Sequence, residues 1–453
     1  MNINIASVKY INNMLDQSFS LKNFQEIYDI ENRKGHYLEK TFSEFDDLYH
    51  QTIKIKRAIK LAKTVKTKSR KKSLYETAKR YKQQKEHLLD KHLIAIEKMI
   101  YAGNFKIAFM PGPRIRGKGT YVFKDSPINF FVSKQTQRNL NKVFRIRRSS
   151  RNDIMAQLKC VLSDKLPKII IKTDIKDFYE TIQHNNMLAT IDSNPLLSIV
   201  SKQYVHKILS QYAHINNKTT GLPRGIGISA CLSEIYMQKL DEQIKSMQNL
   251  IYFARYVDDI IMVFGLSNAI SDVEILKTFD EICNKMGLLR NETKTKTIVV
   301  SKNTCKNFDF LGYKITIRGS GIIIDFSNKK LDKIKNRIKK TFNIYKTTKN
   351  KRSAAHMLYN RIRFLTSNTR LINNKNNVVV GIYYSNKFIT RNNSLVALDN
   401  YISSFYNNVF DVNLLTKIKE LSFEKGWNNK IYHKYSVKAL KQITKIWHYD
   451  ENC

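Results

Sequence analysis

The chain has 453 residues, with 79 Lys plus Arg against 38 Asp plus Glu, a formal net charge of +41 and 42% apolar residues. That apolar share excludes a charged disordered tail, and no apolar run approaches the roughly 20 residues that a membrane-spanning helix needs. The surplus of positive charge implies a polyanionic partner, nucleic acid before an anionic membrane, and the length suits two or three lobes.

In chain order, the segment Met1 to Lys9 lacks the tripartite pattern of a secretory leader. The cysteines Cys160, Cys231, Cys283, Cys305 and Cys453 have no paired spacing. They read as reduced, mostly buried thiols of a cytoplasmic protein rather than as a zinc site or disulfide framework. Residues from about 15 to 100 read as largely helical, and Lys54 to Lys98 is dense in basic side chains. Lys66, Lys68, Arg70, Lys71 and Lys72 are too one-sided for a salt-bridged helix. They are expected to track phosphates, with a solvated helix face as the alternative. Tyr75 and Tyr81 lie among them and suit either base stacking or the helix core. A second basic cluster follows: Arg138, Lys142, Arg145, Arg147, Arg148 and Arg151. Arg151 opens an expected helix with Asn152 as its N-cap.

Lys168 to Asp174 is an apolar run ending in an acid, the pattern of a buried strand. A helix start follows at Ile175 to Ile182, so Asp174 stands at a strand-to-helix junction. Asp177 competes with it, but reads as a solvated acid on the outer helix face. Phe253 to Val263 contains Asp258-Asp259 between β-favouring residues, which predicts a hairpin with two carboxylates at its tip. Asp-rich turns are common in themselves. Three carboxylates brought together by the fold could hold hard divalent cations and, through them, substrate phosphates. Ile270 to Leu288 has an amphipathic helical pattern. Lys329 to Lys340 predicts a basic helix whose stripe of Leu331, Ile334 and Ile338 faces inward and whose charges face outward. Leu440 to Trp447 is a further helix, and His433 and His448 read as structural.

The ordered set of segments resembles reverse transcriptases. Tyr256-Val257-Asp258-Asp259 matches their Tyr-x-Asp-Asp box (motif C), and Asp174 matches the lone aspartate of motif A. Gly221-Leu222-Pro223-Arg224-Gly225-Ile226-Gly227-Ile228-Ser229 resembles motif B, whose glycine-rich turn permits close backbone approach. Leu289 to Thr295 resembles motif D with Lys294 in the lysine position, and Phe310-Leu311-Gly312-Tyr313 resembles the motif E hairpin. The resemblance implies an α+β right-hand polymerase with a helical, basic N-terminal extension. Its expected divisions are 1–100 (helical basic region), 101–167 (fingers), 168–318 (palm with antiparallel sheet) and 319–453 (helical thumb and C-terminal region). It implies two Mg²⁺, with Mn²⁺ as an alternative, on the set Asp174, Ile175, Asp258 and Asp259, and Lys294 as general acid. Tyr179 would crowd the 2′ carbon of the incoming sugar, with Phe178 as the alternative gate. Arg224 stands where many relatives carry Gln, and keeps a planar donor group. With Gly225 and Arg151 it completes the expected nucleotide contacts. Arg145, Arg147 and Arg148 join the N-terminal lysines as expected RNA contacts.

Among subgroups, the segments Arg151 to Lys159, Thr173 to Tyr179, Gly221 to Gly225 and Ser422 to Trp427 are similar to bacterial, non-retron, abortive-infection-like defence reverse transcriptases. The smaller enzyme of the type 3 defence systems is the nearest fit. That implies a noncoding RNA partner, dNTP substrates, a DNA product, a partner reverse transcriptase or homo-oligomer, and no membrane. Two rivals are a template-independent or protein-primed terminal transferase and a non-catalytic RNA-binding scaffold. The scaffold has no need of three acids, a glycine-rich turn and the motif D lysine together.

Overall fold

The computed structural model describes residues 16–103, 105–115, 117–123, 126–147, 149–164, 166–266, 271–301, 305–318, 321–371 and 378–448. The expected RNA contact Arg148, and Cys453, lie outside them. The chain forms two compact units. The first comprises Met1–Arg114, Lys118–Arg147 and Asp177–Lys239; the second comprises Ile115–Gly117, Arg148–Lys176 and Leu240–Cys453.

The first unit is mainly helical. The helices Leu21–Arg33, Asp46–Thr64, Lys68–Tyr101 and Pro127–Val143 pack through Phe24, Phe45 and Phe131. The Phe24 and Phe131 rings stand 5.3 Å apart at 55°, a tilted geometry that aromatic quadrupoles favour. Helix Lys68–Tyr101 runs 34 residues, and of its buried positions only Ala78 lies in the first half, while Leu89, Leu93, Ile96 and Ile100 lie in the second. Its first two turns hold no fully buried residue, so the packed second half does most to hold the exposed start in place. Val65 to Thr67 link this helix to Asp46–Thr64, and the two pack along each other as a helical hairpin. Glu31 is buried under this bundle. Its carboxylate meets Nζ of Lys34 at 3.0 Å, Nδ1 of His36 at 2.7 Å and Nζ of Lys134 at 3.2 Å.

The second unit is built on an antiparallel four-stranded sheet. Its strand order is Leu250–Tyr256, Asp259–Gly265, Lys168–Asp174, Lys296–Val300. Ile169, Ile170 and Ile171 are buried on both faces of a central strand, which explains the unbroken apolar run in the sequence. Helix Asp272–Lys285 starts on a capping box: Ser271 accepts from the Glu274 N–H, and Glu274 accepts from the Ser271 N–H. A second sheet joins Lys306–Phe310, Tyr313–Arg318 and Gly321–Phe326. Its first turn is Leu311-Gly312, with φ of 47° and 79°. Two consecutive positive φ values make the hairpin turn whose twist matches that of its strands.

Helix Asn328–Thr347 follows. Ile338 is buried and Leu331 and Ile334 pack against the same core as the two sheets, as the stripe predicts. One charge departs from the outward expectation. Lys330 leans inward between Tyr313 and Phe326, its Nζ 5.1 and 5.3 Å from the ring centroids. The stem of a lysine can cover apolar surface, and the first turn of this helix leaves the strand Gly321–Phe326 directly beside it. Gly426 sits against Thr366, whose carbonyl oxygen a Cβ would meet at 1.7 Å. Asp399 accepts from Ser422 Oγ and from the Phe423 N–H, and Trp427 Nε1 donates to the Asn386 carbonyl at 3.2 Å. The Ser422 to Trp427 segment is thereby fastened into the C-terminal core.

The cysteine expectation needs amending: Cys231 and Cys283 are buried, but Cys160 and Cys305 are exposed, and all four are free. Among the described residues, no helix is long and apolar enough to cross a membrane.

Candidate active site

Asp174 ends its strand directly opposite Asp259, its register partner on the neighbouring strand. Asp258 occupies the turn between Tyr256 and Asp259, which are themselves partners across the hairpin. The three acids therefore come together at one end of the sheet. Backbone bonds continue past the strand ends: Ile175 N–H donates to the Asp258 carbonyl at 3.3 Å, Asn291 N–H to the Asp174 carbonyl at 2.9 Å, and Lys176 N–H to the Leu289 carbonyl at 2.8 Å. Val257, at the hairpin tip, has φ of +62°. A β-branched residue there is strained by about 1–3 kcal/mol, so surrounding contacts must hold the tip. One is Arg255, which is buried and donates to the Val257 carbonyl at 3.0 Å and to both oxygens of Asp241 at 2.8 and 2.9 Å.

The electrostatics follow from this crowding. Burial holds the Asp259 carboxyl above its ordinary range, Asp258 and Asp174 push the same way, and Lys172 and Lys294 oppose them. Lys172 Nζ stands 4.0 Å from Asp259 Oδ1. Lys294, on the single turn Glu292–Lys294, donates to Asp174 Oδ2 at 2.5 Å. This bond keeps the Lys294 ammonium protonated beyond the usual lysine range. Asp174 Oδ1 is buried with no hydrogen-bond partner, a costly condition for a carboxylate oxygen. Among the described residues, no three His, Cys, Asp or Glu side chains stand in the geometry of a metal centre. The donor set nevertheless fits a hard cation: oxygen ligands only, an orphaned buried oxygen, and a lysine ammonium already resting on the neighbouring oxygen.

The expected sugar-gate residues lie in the first unit. Phe178 is buried at 3% exposure, whereas Tyr179 is half-buried. Arg224 lays its guanidinium 4.8 Å from the centre of the Tyr179 ring and donates to both oxygens of Glu180 at 3.0 and 2.8 Å. Lys118 adds contacts to Asp177 at 3.1 Å and Glu180 at 3.5 Å. Burial raises the Glu180 carboxyl, but the Arg224 hydrogen bonds and the charges of Arg224 and Lys118 bring it below its ordinary range. Gly225 has φ of +92°, and a Cβ there would fall 2.7 Å from the Tyr121 carbonyl. The strand Lys118–Phe123 thus lies against the motif B turn, and Tyr121 N–H donates to the Arg224 carbonyl at 2.7 Å.

Arg151 also has a structural role within the second unit. Its Nε donates to the Leu311 carbonyl at 2.8 Å, its Nη1 to the Ser385 carbonyl at 3.0 Å, and its guanidinium covers the Tyr313 ring at 4.6 Å. Those two bonds tie the motif E turn to the 381–386 turn and use two of the five N–H donors of the guanidinium. The N-cap of its helix is Ser150, which accepts from the Asp153 N–H, rather than Asn152. Lys66, Lys68, Arg70, Lys71, Lys72, Arg145 and Arg147 are all exposed. Tyr75 shares a groove with Lys68, Lys71, Lys72 and Lys79, whereas Tyr81 is taken up by the Lys54 ammonium, 5.9 Å from its ring. Arg255, Lys172 and Glu180 are additional to the residues expected from motifs. Their signal in the sequence is a charge inside an apolar strand for the first two; Glu180 carries none.

Residues 127–315 match the family model described as reverse transcriptase (RNA-dependent DNA polymerase). No curated protein matches the chain. Among solved structures, it is similar to apo telomerase from Candida tropicalis, with 12% identity over 76% of this chain and 64% of that one, at a TM-score of 0.37. A form of that telomerase truncated from the C-terminal domain gives 16% identity over 49% of this chain and 54% of that one, at 0.34. Telomerase from Candida albicans in complex with a fragment of telomeric RNA gives 13% over 76% and 62%, at 0.34. The chain thus spans between about half and just under two thirds of the length of these telomerase chains. The domain match and the mixed helix and antiparallel-sheet architecture give the fold class, an α+β right-hand polymerase. Residues 127–315 are a reverse transcriptase domain, the enzymatic domain of RNA-directed DNA polymerases.

Proposed function

We propose, from the reverse transcriptase domain at residues 127–315, that the whole chain is an RNA-directed DNA polymerase that extends a primer 3′-hydroxyl with dNTPs. The observation that carries this reading is the register pairing of Asp174 with Asp259, with Asp258 in the adjoining turn. Asp174, Asp258, Asp259 and the backbone carbonyl of Ile175 would hold two Mg²⁺. When bound, these ions favour ionisation of the attacking hydroxyl and neutralise charge on the leaving oxygen. Lys294 carries the proton for the departing pyrophosphate. Arg255 keeps the hairpin tip in its strained conformation. Tyr179, held flat by Arg224, excludes a ribose 2′-hydroxyl, and Gly225 lets the chain pass close to nucleotide and template. The divisions 101–167, 168–318 and 319–453 serve as fingers, palm and thumb with C-terminal region. Lys66, Lys68, Arg70, Lys71, Lys72, Arg145, Arg147 and Arg148 bind RNA backbone.

The finer reading is a cytoplasmic antiphage defence enzyme acting on an associated noncoding RNA. The segments Arg151 to Lys159 and Ser422 to Trp427 support it by their similarity to that subgroup. Two measurements test the proposal. Asp258→Asn/Asp259→Asn should abolish dNTP incorporation and leave RNA binding within about twofold, because affinity comes from the basic surface. Incorporation by the double variant would overturn the enzymatic reading. Sequencing the nucleic acid that copurifies with the chain would identify the template, and incorporation that persists without RNA would establish terminal transfer instead.

A further inference from the structure

Among the described residues, Arg151 and Lys330 form a cation pair with no carboxylate partner. Arg151 Nη1 and Lys330 Nζ both donate to the Ser385 carbonyl, at 3.0 and 3.4 Å, and Tyr313 Oη approaches the same oxygen at 3.4 Å. Lys330 Nζ also donates to Asn386 Oδ1. Both cations are hydrogen-bonded, but their charge is uncompensated. Burial and the neighbouring Arg151 pull the Lys330 ammonium down to about 7, so the site holds charge only at a cost that an anion would relieve. Lys330 opens onto a cavity of about 260 Å³. Lys333 and Arg337 line it from the next turns of helix Asn328–Thr347, and among the described residues no acid lines it. Phe364, Ile382 and Phe423 add apolar surface to its lining.

We propose that this cavity, bounded by Lys330, Lys333, Arg337 and the 381–386 turn, binds one phosphorylated nucleotide. The phosphate would sit on the three cations and the base against the apolar surface. The convergence of cations fits a phosphate, whose oxygens accept several charge-assisted hydrogen bonds. Phe364 fits a base, because stacking on an aromatic ring tolerates any base. The volume admits one nucleotide and no duplex, being below the roughly 300–1,000 Å³ of drug-sized pockets. The site uses none of the acids assigned to polymerisation, so it stands or falls independently of that reading. Its nucleotide is either free or the phosphorylated end of a strand.

The test is binding of AMP, inorganic phosphate and a 5′-phosphorylated trinucleotide to the full chain carrying Asp258→Asn/Asp259→Asn, in EDTA, so that metal-dependent binding is absent. AMP should bind one to one and at least about tenfold more tightly than phosphate, as stacking adds to the anion contacts. Lys330→Met and Arg337→Gln should each weaken AMP about tenfold or more, while Lys296→Ala should not. A trinucleotide that binds more tightly than AMP identifies a strand end; equal or weaker binding identifies the free nucleotide. Amide hydrogen exchange of the unsubstituted chain guards against a folding defect in Lys330→Met, since AMP should protect residues 380–386. Equal affinity for AMP and phosphate, undiminished binding in both variants, or no protection of that turn would each overturn the proposal.

Discussion

Nζ of Lys294 lies 2.5 Å from Oδ2 of Asp174, across 120 residues of sequence. The contact places a proton donor against one of the three acids while the other oxygen of that acid, Oδ1, is buried without a partner. One lysine therefore serves two tasks on the proposed reading: it neutralises Asp174 and supplies a proton.

Lys294→Met separates these tasks. If Lys294 is the general acid, single-nucleotide incorporation should slow by about 10²-fold or more, with primer–template affinity unchanged. A rapid-quench measurement of one added nucleotide reads the chemical step. An unchanged rate would leave Lys294 with electrostatic support alone.

Tyr179 and Phe178 differ in burial, and their replacements should differ in kind. Tyr179→Ala should raise NTP incorporation relative to dNTP without a large loss of stability. Phe178→Ala empties a buried position and should cost about 3–5 kcal/mol of folding stability. Competition between NTP and dNTP, with thermal melting of both variants, checks the pair. A sugar-choice change that follows Phe178 would exchange their roles.

The exposed start of helix Lys68–Tyr101 carries the salt-dependence expectation. Neutralising Lys66, Lys68, Arg70, Lys71 and Lys72 together should weaken RNA binding, and the log–log salt slope should fall by about 0.7–0.9 for each phosphate that the protein no longer neutralises. Tyr75→Ala should cost about 1–3 kcal/mol of single-strand binding, since its ring is open to the basic groove. Tyr81→Ala should leave that binding unchanged. An unaltered slope in the five-fold variant would make this segment a solvated face.

Glu31 sets a pH dependence. Burial pushes its carboxyl up, but His36, Lys34 and Lys134 outweigh burial and bring it down to about 2. A carboxyl depressed by folding contributes stability that is fully present above its unfolded value of about 4.3 and lost as pH falls toward 2. Glu31→Gln should therefore destabilise the first unit at pH 7 by about 1–3 kcal/mol. The gap from the unsubstituted chain should close between about pH 4.3 and 2. Melting at pH 7 and pH 3 measures it, and a pH-independent gap would assign the loss to packing.

Local chemistry explains what the sequence discloses. The Asp258-Asp259 hairpin, the strand ending at Asp174 and the apolar stripe of helix Asn328–Thr347 each rest on neighbours within a turn or two, so periodicity and turn residues reveal them. Lys172 stands two residues before Asp174 and so shares its strand face, a signal that is readable but easily taken for a solvent-facing charge. Arg151 and Lys330 are different. Their partners Leu311, Ser385 and Asn386 lie far along the chain, between 55 and 234 residues away. No local pattern distinguishes a lysine that turns inward from the lysines beside it, and a basic run therefore conceals Lys330. The Arg224–Glu180 pair is hidden in the same way, since its residues stand in separate segments.

The bonds at the end of the four-stranded sheet run through peptide groups: Ile175 to Asp258, Asn291 to Asp174, Lys176 to Leu289. Every residue except proline carries the same peptide donor and acceptor. Substitution at the exposed positions around the acids can therefore be extensive, provided that it introduces no proline and spares the strained tip. A lineage of such chains could exchange most of the neighbouring side chains while the spacing of its three carboxylates stays fixed. Mutational scanning should find tolerance at the exposed Lys176 and Leu289 to most replacements other than proline, tolerance at the buried Ile175 to apolar replacements only, and intolerance at the acids themselves.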